Sequence, residues 1–90
     1  MTQRPAALYT ISVAAEICGT GVQNLRIYEQ RGLVAPERSP GGTRKYSDAD
    51  VAAIQRVVEL LDEGLNLAGI RKVLALEAEV RRLREQTQGH

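Results

Sequence analysis

The stretch RIYEQRGLV, Arg26–Val34, changes from one type of secondary structure to another within nine residues. Its first part continues a helical pattern, in which Leu25 and Tyr28 lie three positions apart. Gly32 can end that helix, because glycine readily adopts the left-handed conformation that often follows a helix. The apolar pair after the glycine begins an extended segment. This junction predicts a short helix with a basic, polar outer face, followed directly by extended chain.

Upstream of this stretch, the sequence predicts two short helices separated by a glycine turn. Ser12 can cap a first helix over residues 13–18, and the GTG sequence at Gly19–Gly21 ends it. Thr20 and Gln23 match a capping box that opens the second helix. The predicted inner faces carry Ala14, Ile17 and Cys18 in the first helix and Val22, Leu25 and Tyr28 in the second. Two such helices form a helix-turn-helix.

Downstream, LVAPERSPGGTRKY (residues 33–46) contains the prolines and the glycine pair that are typical of a β-hairpin. Its two arms are predicted near Glu37-Arg38 and at residues 44–46. A hairpin that directly follows a helix-turn-helix is called a wing.

Two further helices are predicted after the hairpin. Ser47 can cap the first, and the helix dipole favours Asp48 and Asp50 in its first turn. Gly64 can end this helix, and Asn66 can cap the next. The residues predicted to face inward are Val51, Ile54, Val58 and Leu61 in the first helix and Leu67, Ile70 and Leu74 in the second.

The last part of the chain has a heptad pattern with charged flanks. The apolar positions alternate spacings of three and four, and they are Val73, Leu76, Val80 and Leu83, followed by Thr87. We call the first four residues the seam. The pattern predicts a short coiled-coil dimerisation helix at residues 75–88. It follows the predicted winged helix-turn-helix domain at residues 9–74, and a loose leader is expected at residues 1–8. The alternative is that the seam covers the core of its own domain.

Composition limits the classes of function. The chain has 90 residues, of which 43% are hydrophobic and 26% charged, so one small domain with an aliphatic core is expected. The net charge is +3 for residues 1–46 and −2 for residues 47–90. A basic first half suggests a polyanionic partner.

Several functions are not expected. Cys18 is the only cysteine, so no disulfide framework is predicted, and the apolar face of the first helix explains it as a buried residue. The sequence contains neither a nucleophile–base pair nor a glycine-rich phosphate loop nor a cluster of metal ligands, so no enzyme, cofactor, metal site or small-molecule sensor is predicted. Without an apolar run of about 18 residues or a signal peptide, a cytoplasmic location is expected. The terminal His90 is expected to be disordered.

In this order, the features resemble the MerR family of bacterial transcription regulators over roughly residues 9–76. The motifs that carry the resemblance are SVAAEICG, NLRIYEQRGLVAPER, GTRKYSDADVAAIQRV and EGLNLAGIRKVLALE. The phrase EGLNLAGI resembles the heat-shock repressor (HspR) branch. Asn24 and Ile27 depart from the common family pattern, which has threonine or serine and an aromatic residue at these positions. These two differences bear on which DNA bases the protein would recognise. They do not change the mode of DNA binding that the resemblance implies.

The resemblance implies a mainly α fold, a winged helix-turn-helix DNA-binding domain with a short C-terminal dimerisation helix. It implies a sequence-specific regulator, a repressor that binds a palindromic operator on double-stranded DNA as an antiparallel homodimer. A DnaK-type chaperone is the implied co-repressor. The alternative function is a monomeric, excisionase-like winged helix that bends DNA, and the seam argues against it.

The candidate DNA-binding residues come from the second helix and the wing. A carboxamide can pair in both directions with adenine, so Gln23 and Asn24 are candidates for base contacts. The resemblance assigns Arg26 to a phosphate, and wing cations can contact neighbouring phosphates. The complete set is Gln23, Asn24, Arg26, Ile27, Tyr28, Arg31, Arg38, Arg44, Lys45 and Tyr46. The alternatives are a capping role for Gln23, solvated charges for Arg26, Arg31 and Lys45, and a core position for Tyr28.

Overall fold

A computed structural model of the protein describes residues 8–88. Its elements in chain order are β1 (Leu8–Tyr9), α1 (Ile11–Cys18), α2 (Val22–Gln30), β2 (Glu37–Arg38), β3 (Arg44–Ser47), α3 (Asp48–Asp62) and α4 (Leu67–Gln88). This mainly helical fold with a small sheet confirms the predicted winged helix-turn-helix. Most of the predicted leader, and His90, lie outside the described residues. Within residues 8–88, each helix is too short or too polar to span a lipid bilayer.

The three strands form one antiparallel sheet in the order β1-β3-β2. The wing arms are where the sequence predicts them, and Arg38 lies opposite Arg44 in the register. Leu8, predicted to end a loose leader, pairs instead with Ser47, while Tyr9 pairs with Tyr46. The sheet therefore joins the start of the described chain to the wing.

The caps of the first two helices differ from the prediction. Thr10, and not Ser12, caps α1, because its hydroxyl accepts a hydrogen bond of 3.3 Å from the Val13 N–H. The predicted Thr20/Gln23 capping box is also wrong. The Thr20 N–H bonds to the Ala15 carbonyl at 3.0 Å, so Thr20 belongs to the end of α1. Gly21 occupies the capping position of α2 without a side-chain hydrogen bond.

The predicted caps of α3 and α4 are confirmed. The Asp50 N–H donates to the Ser47 hydroxyl at 3.1 Å, and the Ser47 N–H donates to the Asp50 carboxylate at 2.9 Å. This reciprocal arrangement is a capping box. At the start of α4, the Asn66 side chain accepts a hydrogen bond of 2.7 Å from the Gly69 N–H.

One hydrophobic core joins all four helices to β3. Its fully buried larger side chains are Leu25, Tyr46, Ile54, Val57 and Ile70. In α3 the buried face also includes Leu60, so it is rotated from the predicted one, and Val58 and Leu61 are only partly buried. In α1 the buried face is centred on Ala14, Ala15 and Cys18, so the predicted core residue Ile17 lies at its edge and is 45% exposed.

The helix α4 runs without interruption through the predicted boundary between residues 74 and 75. Its first part packs on the domain, where Ile70 is fully buried. An ion pair extends this contact, since the Arg56 guanidinium binds both oxygens of Glu77, with an Nη2–Oε2 distance of 2.7 Å. Beyond Glu77, the helix leaves the core of the described domain.

Candidate nucleic-acid interface

The outer face of α2 carries exposed side chains that are capable of reading DNA bases. Leu25 and Tyr28 are buried against the core, so helical periodicity turns Gln23, Asn24 and Ile27 outward. Ile27 is 41% exposed although it is apolar. An exposed side chain of this kind can contact the methyl group of thymine in the major groove.

Two carboxamides at the start of α2 have partners within the chain. The Asn24 amide donates to the Thr20 hydroxyl at 2.8 Å, and Gln23 accepts a hydrogen bond of 3.1 Å from Arg26. Asn24 keeps its carbonyl oxygen and a second amide hydrogen for a ligand. It can therefore still pair in both directions with one adenine, while Thr20 fixes its orientation.

Glu29 holds the wing against α2. Its two carboxylate oxygens bind one arginine each, Arg44 through Nε at 2.6 Å and Arg38 through Nη2 at 2.9 Å. The hydrogen bond from Arg44 is the main reason why the pKa of Glu29 lies below its usual range. The sequence analysis missed Glu29. The sequence pattern that could have indicated this role is an acidic residue near the end of a helix, with two arginines in the hairpin that follows the helix.

These pairs change the interpretation of the wing arginines, which the sequence assigned to phosphates. Arg44 is directed at Glu29, and Arg38 binds both Glu29 and the Gly42 carbonyl, the latter at 3.3 Å. The two guanidinium groups thus set the position of the wing relative to α2. Lys45 on the same strand is partly exposed.

The two tyrosines of the candidate set belong to the core. Tyr46 is 0% exposed, and its hydroxyl is buried without a hydrogen-bond partner among residues 8–88. The predicted phosphate contact from Tyr46 is therefore wrong, because the side chain does not reach the surface. Burial is also the main reason why its pKa is raised. Tyr28 is 4% exposed, in agreement with the alternative of a core position.

The remaining candidate arginines, one in α2 and one directly after it, are accessible. Arg26 is exposed beside Gln23, and Arg31 is exposed at the end of the helix. Arg31 also lines a pocket shared with α4. The structure thus leaves a polar face on α2 with the wing fixed at its side.

The seam lies on the distal part of α4. Leu76, Val80 and Leu83 are 66%, 44% and 48% exposed, whereas Val73 packs partly against the core. The three distal side chains therefore do not cover the core of their own domain. Exposed apolar residues in a line are typical of a surface that binds a partner.

Cys18 lies in the core, away from both the outer face of α2 and the seam. Its thiol is buried and lies 3.6 Å from the Val51 carbonyl, and burial raises its pKa. Within the described part of the chain, no three His, Cys, Asp or Glu side chains form a cluster that could hold a metal ion.

Sequence comparison relates the chain to known regulators. The family model described as "MerR HTH family regulatory protein" matches residues 9–77. The "Putative heat shock protein HspR" of Streptomyces coelicolor is 46% identical over 77 residues, which cover 84% of this chain and 51% of that protein. The HTH-type transcriptional regulator GlnR of Bacillus anthracis is 34% identical over 88 residues, which cover 94% of this chain and 68% of that protein. The chain thus spans about half the length of the HspR protein that it matches.

Solved structures of similar fold also belong to helix-turn-helix regulators. The N-terminal part of MtaN, the multidrug transporter activator of Bacillus subtilis, has a TM-score of 0.69 and 28% identity, with coverage of 89% of this chain and 85% of that one. HiNmlR, a MerR family regulator lacking the sensor domain and bound to promoter DNA, has a TM-score of 0.70 and 25% identity, with coverage of 91% and 72%. From the match over residues 9–77 and these likenesses, we conclude that the chain belongs to the MerR family of helix-turn-helix regulatory proteins.

Proposed function

We propose that this chain is a sequence-specific DNA-binding transcriptional regulator, a repressor that binds a palindromic operator as a homodimer. The observation that carries the proposal is the exposed outer face of α2, with the wing held beside it by the bonds between Glu29 and two arginines. A recognition helix of this kind fits the major groove, where base edges are distinguishable. The DNA-bound HiNmlR structure has the same fold, which supports this mode of binding.

Asn24 is the proposed base-reading residue. Its side chain is exposed, lies near the start of α2 and is oriented by the hydrogen bond of 2.8 Å to Thr20. A good bidentate contact of this type discriminates between bases by roughly 1–3 kcal/mol. The wing lies beside α2 and offers Lys45 to the phosphate backbone, which positions the protein without reading sequence.

The homodimer part of the proposal is based on the exposed seam. A helix that exposes Leu76, Val80 and Leu83 can remove them from water by pairing with a second copy. Following the family resemblance, we propose antiparallel pairing. Two-fold symmetry of the protein then requires a palindromic operator.

The assignment as a repressor, with a DnaK-type chaperone as co-repressor, is based on the resemblance to the heat-shock repressor branch. Its support is the 46% identity to the HspR protein of Streptomyces coelicolor. The chaperone is the proposed regulatory partner, in addition to DNA and a second copy of the chain.

Selection of bound sites from random duplex DNA tests the proposal. The wild-type protein is expected to enrich two inverted half-sites. Asn24→Ala should lose preference at one position in each half-site, with a fall in discrimination of about 5- to 150-fold, as one bidentate contact implies. Gln55→Ala, which removes an exposed carboxamide from α3, is the matched control and should enrich the wild-type sequence.

Two results would contradict the proposal. If the wild-type protein enriched no sequence, the chain would not be a sequence-specific regulator. If Asn24→Ala and Gln55→Ala enriched the same site as the wild type, base reading would have to come from other residues than Asn24.

A further inference from the structure

An ion pair bridges α3 and α4 at the point where α4 leaves the core of the domain. The Arg56 guanidinium donates to both carboxylate oxygens of Glu77, with Nε–Oε1, Nε–Oε2 and Nη2–Oε2 distances of 3.2, 3.1 and 2.7 Å. A contact in which a planar guanidinium meets both oxygens of a carboxylate has a defined geometry. The pair therefore restrains α4 relative to α3 more tightly than a single hydrogen bond would.

The Arg56 side chain is also held from its own helix. Its Nη1 donates to the Glu59 carboxylate at 2.9 Å, so carboxylates from two helices bind one guanidinium. The hydrogen bond to Glu77 is the main reason why the pKa of Arg56 lies above its usual range. The same bond is the main reason why the pKa of Glu77 lies below its usual range. Both partners are therefore charged at neutral pH.

A groove separates the start of α3 from this part of α4. Its volume is about 460 Å³, and its wall on α3 consists of Ala49, Ala52 and Ala53. These short side chains leave the space towards α4 open. Arg56 and Glu77 also line the groove. On this side of the domain, the charged pair and not apolar packing thus spans the space between the two helices.

The ion pair extends the part of α4 that is attached to the domain. Ile70 and Glu77 are seven positions apart, so they face the same side of the helix. Leu74, between them, packs partly against the core. The attached part would measure about 6 Å from Ile70 to Leu74 alone, and it measures about 10.5 Å with Glu77, at a rise of 1.5 Å per residue. A longer attachment defines the direction of the seam better.

We propose that the Arg56–Glu77 pair fixes the direction in which α4 leaves the domain, and thereby positions the two DNA-binding domains of the dimer for simultaneous contact with one operator. Both are positioning residues, because they lie on α3 and α4 and not on the outer face of α2 or the wing. The inference rests on the proposed homodimeric, DNA-binding function. A second domain adds affinity only where the geometry allows both domains to bind at once.

Affinities for two duplexes test the inference. One duplex carries the complete operator obtained by site selection, and the other is a short duplex with one half-site, which a single domain can occupy. The ratio of the two affinities measures simultaneous contact. Glu77→Gln should lower this ratio by about 5- to 25-fold and change the half-site affinity by less than about 2-fold, because a dimer loses two pairs whose side chains are 37% and 34% exposed.

Glu79→Gln is the matched control. It removes the same charge from the same helix, but the Glu79 carboxylate binds Arg82 of α4 itself and does not contact α3. This variant should keep the wild-type ratio. Arg56→Gln, alone and combined with Glu77→Gln, should give the same ratio as Glu77→Gln, since two residues that act as one unit do not have additive effects.

A measurement without DNA tests the geometry directly. Glu16 is exposed on α1, so a spin label can be attached there after Glu16→Cys, with Cys18→Ala to leave one thiol in each chain. The distance between the two labels of a dimer should have a narrow distribution in this background. Adding Glu77→Gln should broaden the distribution, and adding Glu79→Gln should leave it unchanged.

The outcomes separate this inference from the proposed function. If Glu77→Gln matched Glu79→Gln in affinity ratio and label distances while the wild type preferred the complete operator, only this inference would be overturned. Equal losses of affinity for the two duplexes would also overturn it, because the pair would then only support the fold of the domain. A wild type that was monomeric, or that bound both duplexes equally, would overturn the proposed dimer and this inference with it.

Discussion

Glu29 shows how one carboxylate fixes the relation between two elements of the interface. It lies on α2, and both of its partners, Arg38 and Arg44, come from the wing. Charge-assisted hydrogen bonds of this kind are stronger than neutral ones. A change at this single residue is therefore expected to alter the position of the whole wing, as well as the stability of the fold.

Glu29→Gln should lower the free energy of unfolding at neutral pH by about 1 kcal/mol, the upper range for exposed ion pairs. The pKa of Glu29 is depressed in the folded chain, so its contribution is present above the ordinary value of 4.5. It is lost as the pH falls through the depressed folded value. Urea unfolding of the wild type and the variant should therefore give different midpoints at pH 7 and similar ones near the acid limit.

Glu37→Gln is the control for this measurement. Glu37 is exposed on the wing and, among residues 8–88, forms no ion pair. Its substitution should change stability little at any pH. A difference between wild type and Glu29→Gln that stayed constant from pH 7 to pH 3 would show that the ion pairs do not contribute.

At the scale of elements, α4 combines two environments in one helix. Ile70 is fully buried in the domain core, whereas Leu76 is 66% exposed six residues later. The same helix therefore stabilises the domain with its first turns and presents an apolar line with its later turns.

Substitutions to alanine should separate these two parts of α4. Ile70→Ala should destabilise the domain by about 2–5 kcal/mol, because it removes a fully buried side chain. Leu76→Ala should change the stability of the monomer by less than about 0.5 kcal/mol. Chemical unfolding in a Leu83→Asp background, in which we expect the proposed dimer not to form, measures both values. Equal losses at the two positions would contradict the division of α4.

The sequence predicts the elements well and their packing less well. The prolines, glycines and caps locate the hairpin, α3 and α4, since local chemistry determines these boundaries. Strand periodicity could also have shown that Lys45 and Tyr46 do not both face the DNA. Successive side chains of a strand point to opposite faces, so an outward Lys45 places Tyr46 on the face that packs against the core. The bonds between Glu29 and the wing, and the pocket that Arg31 shares with α4, depend on tertiary packing. No local pattern contains that information.

At the scale of the whole molecule, the proposed dimer should be visible in solution. Wild-type protein should have a mass twice that of the 9.9 kDa chain, and its unfolding temperature should rise with protein concentration. Leu83→Asp should be monomeric with a concentration-independent unfolding temperature, because it places a charge in the seam. Light scattering and thermal unfolding at several concentrations measure both properties.

Ala78→Asp provides the matched control, since residue 78 is exposed on α4 outside the seam. It should remain dimeric. A monomeric wild type would contradict the proposed dimer and favour the excisionase-like alternative.

The unbroken course of α4 has a geometric consequence for such a dimer. Residues 70 and 83 are thirteen positions apart in one helix, a distance of about 20 Å at a rise of 1.5 Å per residue. Inserting a single alanine after residue 74 would lengthen this path by only about 1.5 Å but rotate the seam by about 100°. The rotation along α4 between Ile70 and Leu83 would thus determine how the two recognition helices of a dimer are oriented relative to each other. A dimer with a stiff α4 should bind only operators with one spacing between half-sites, whereas a helix that twists easily should allow several spacings.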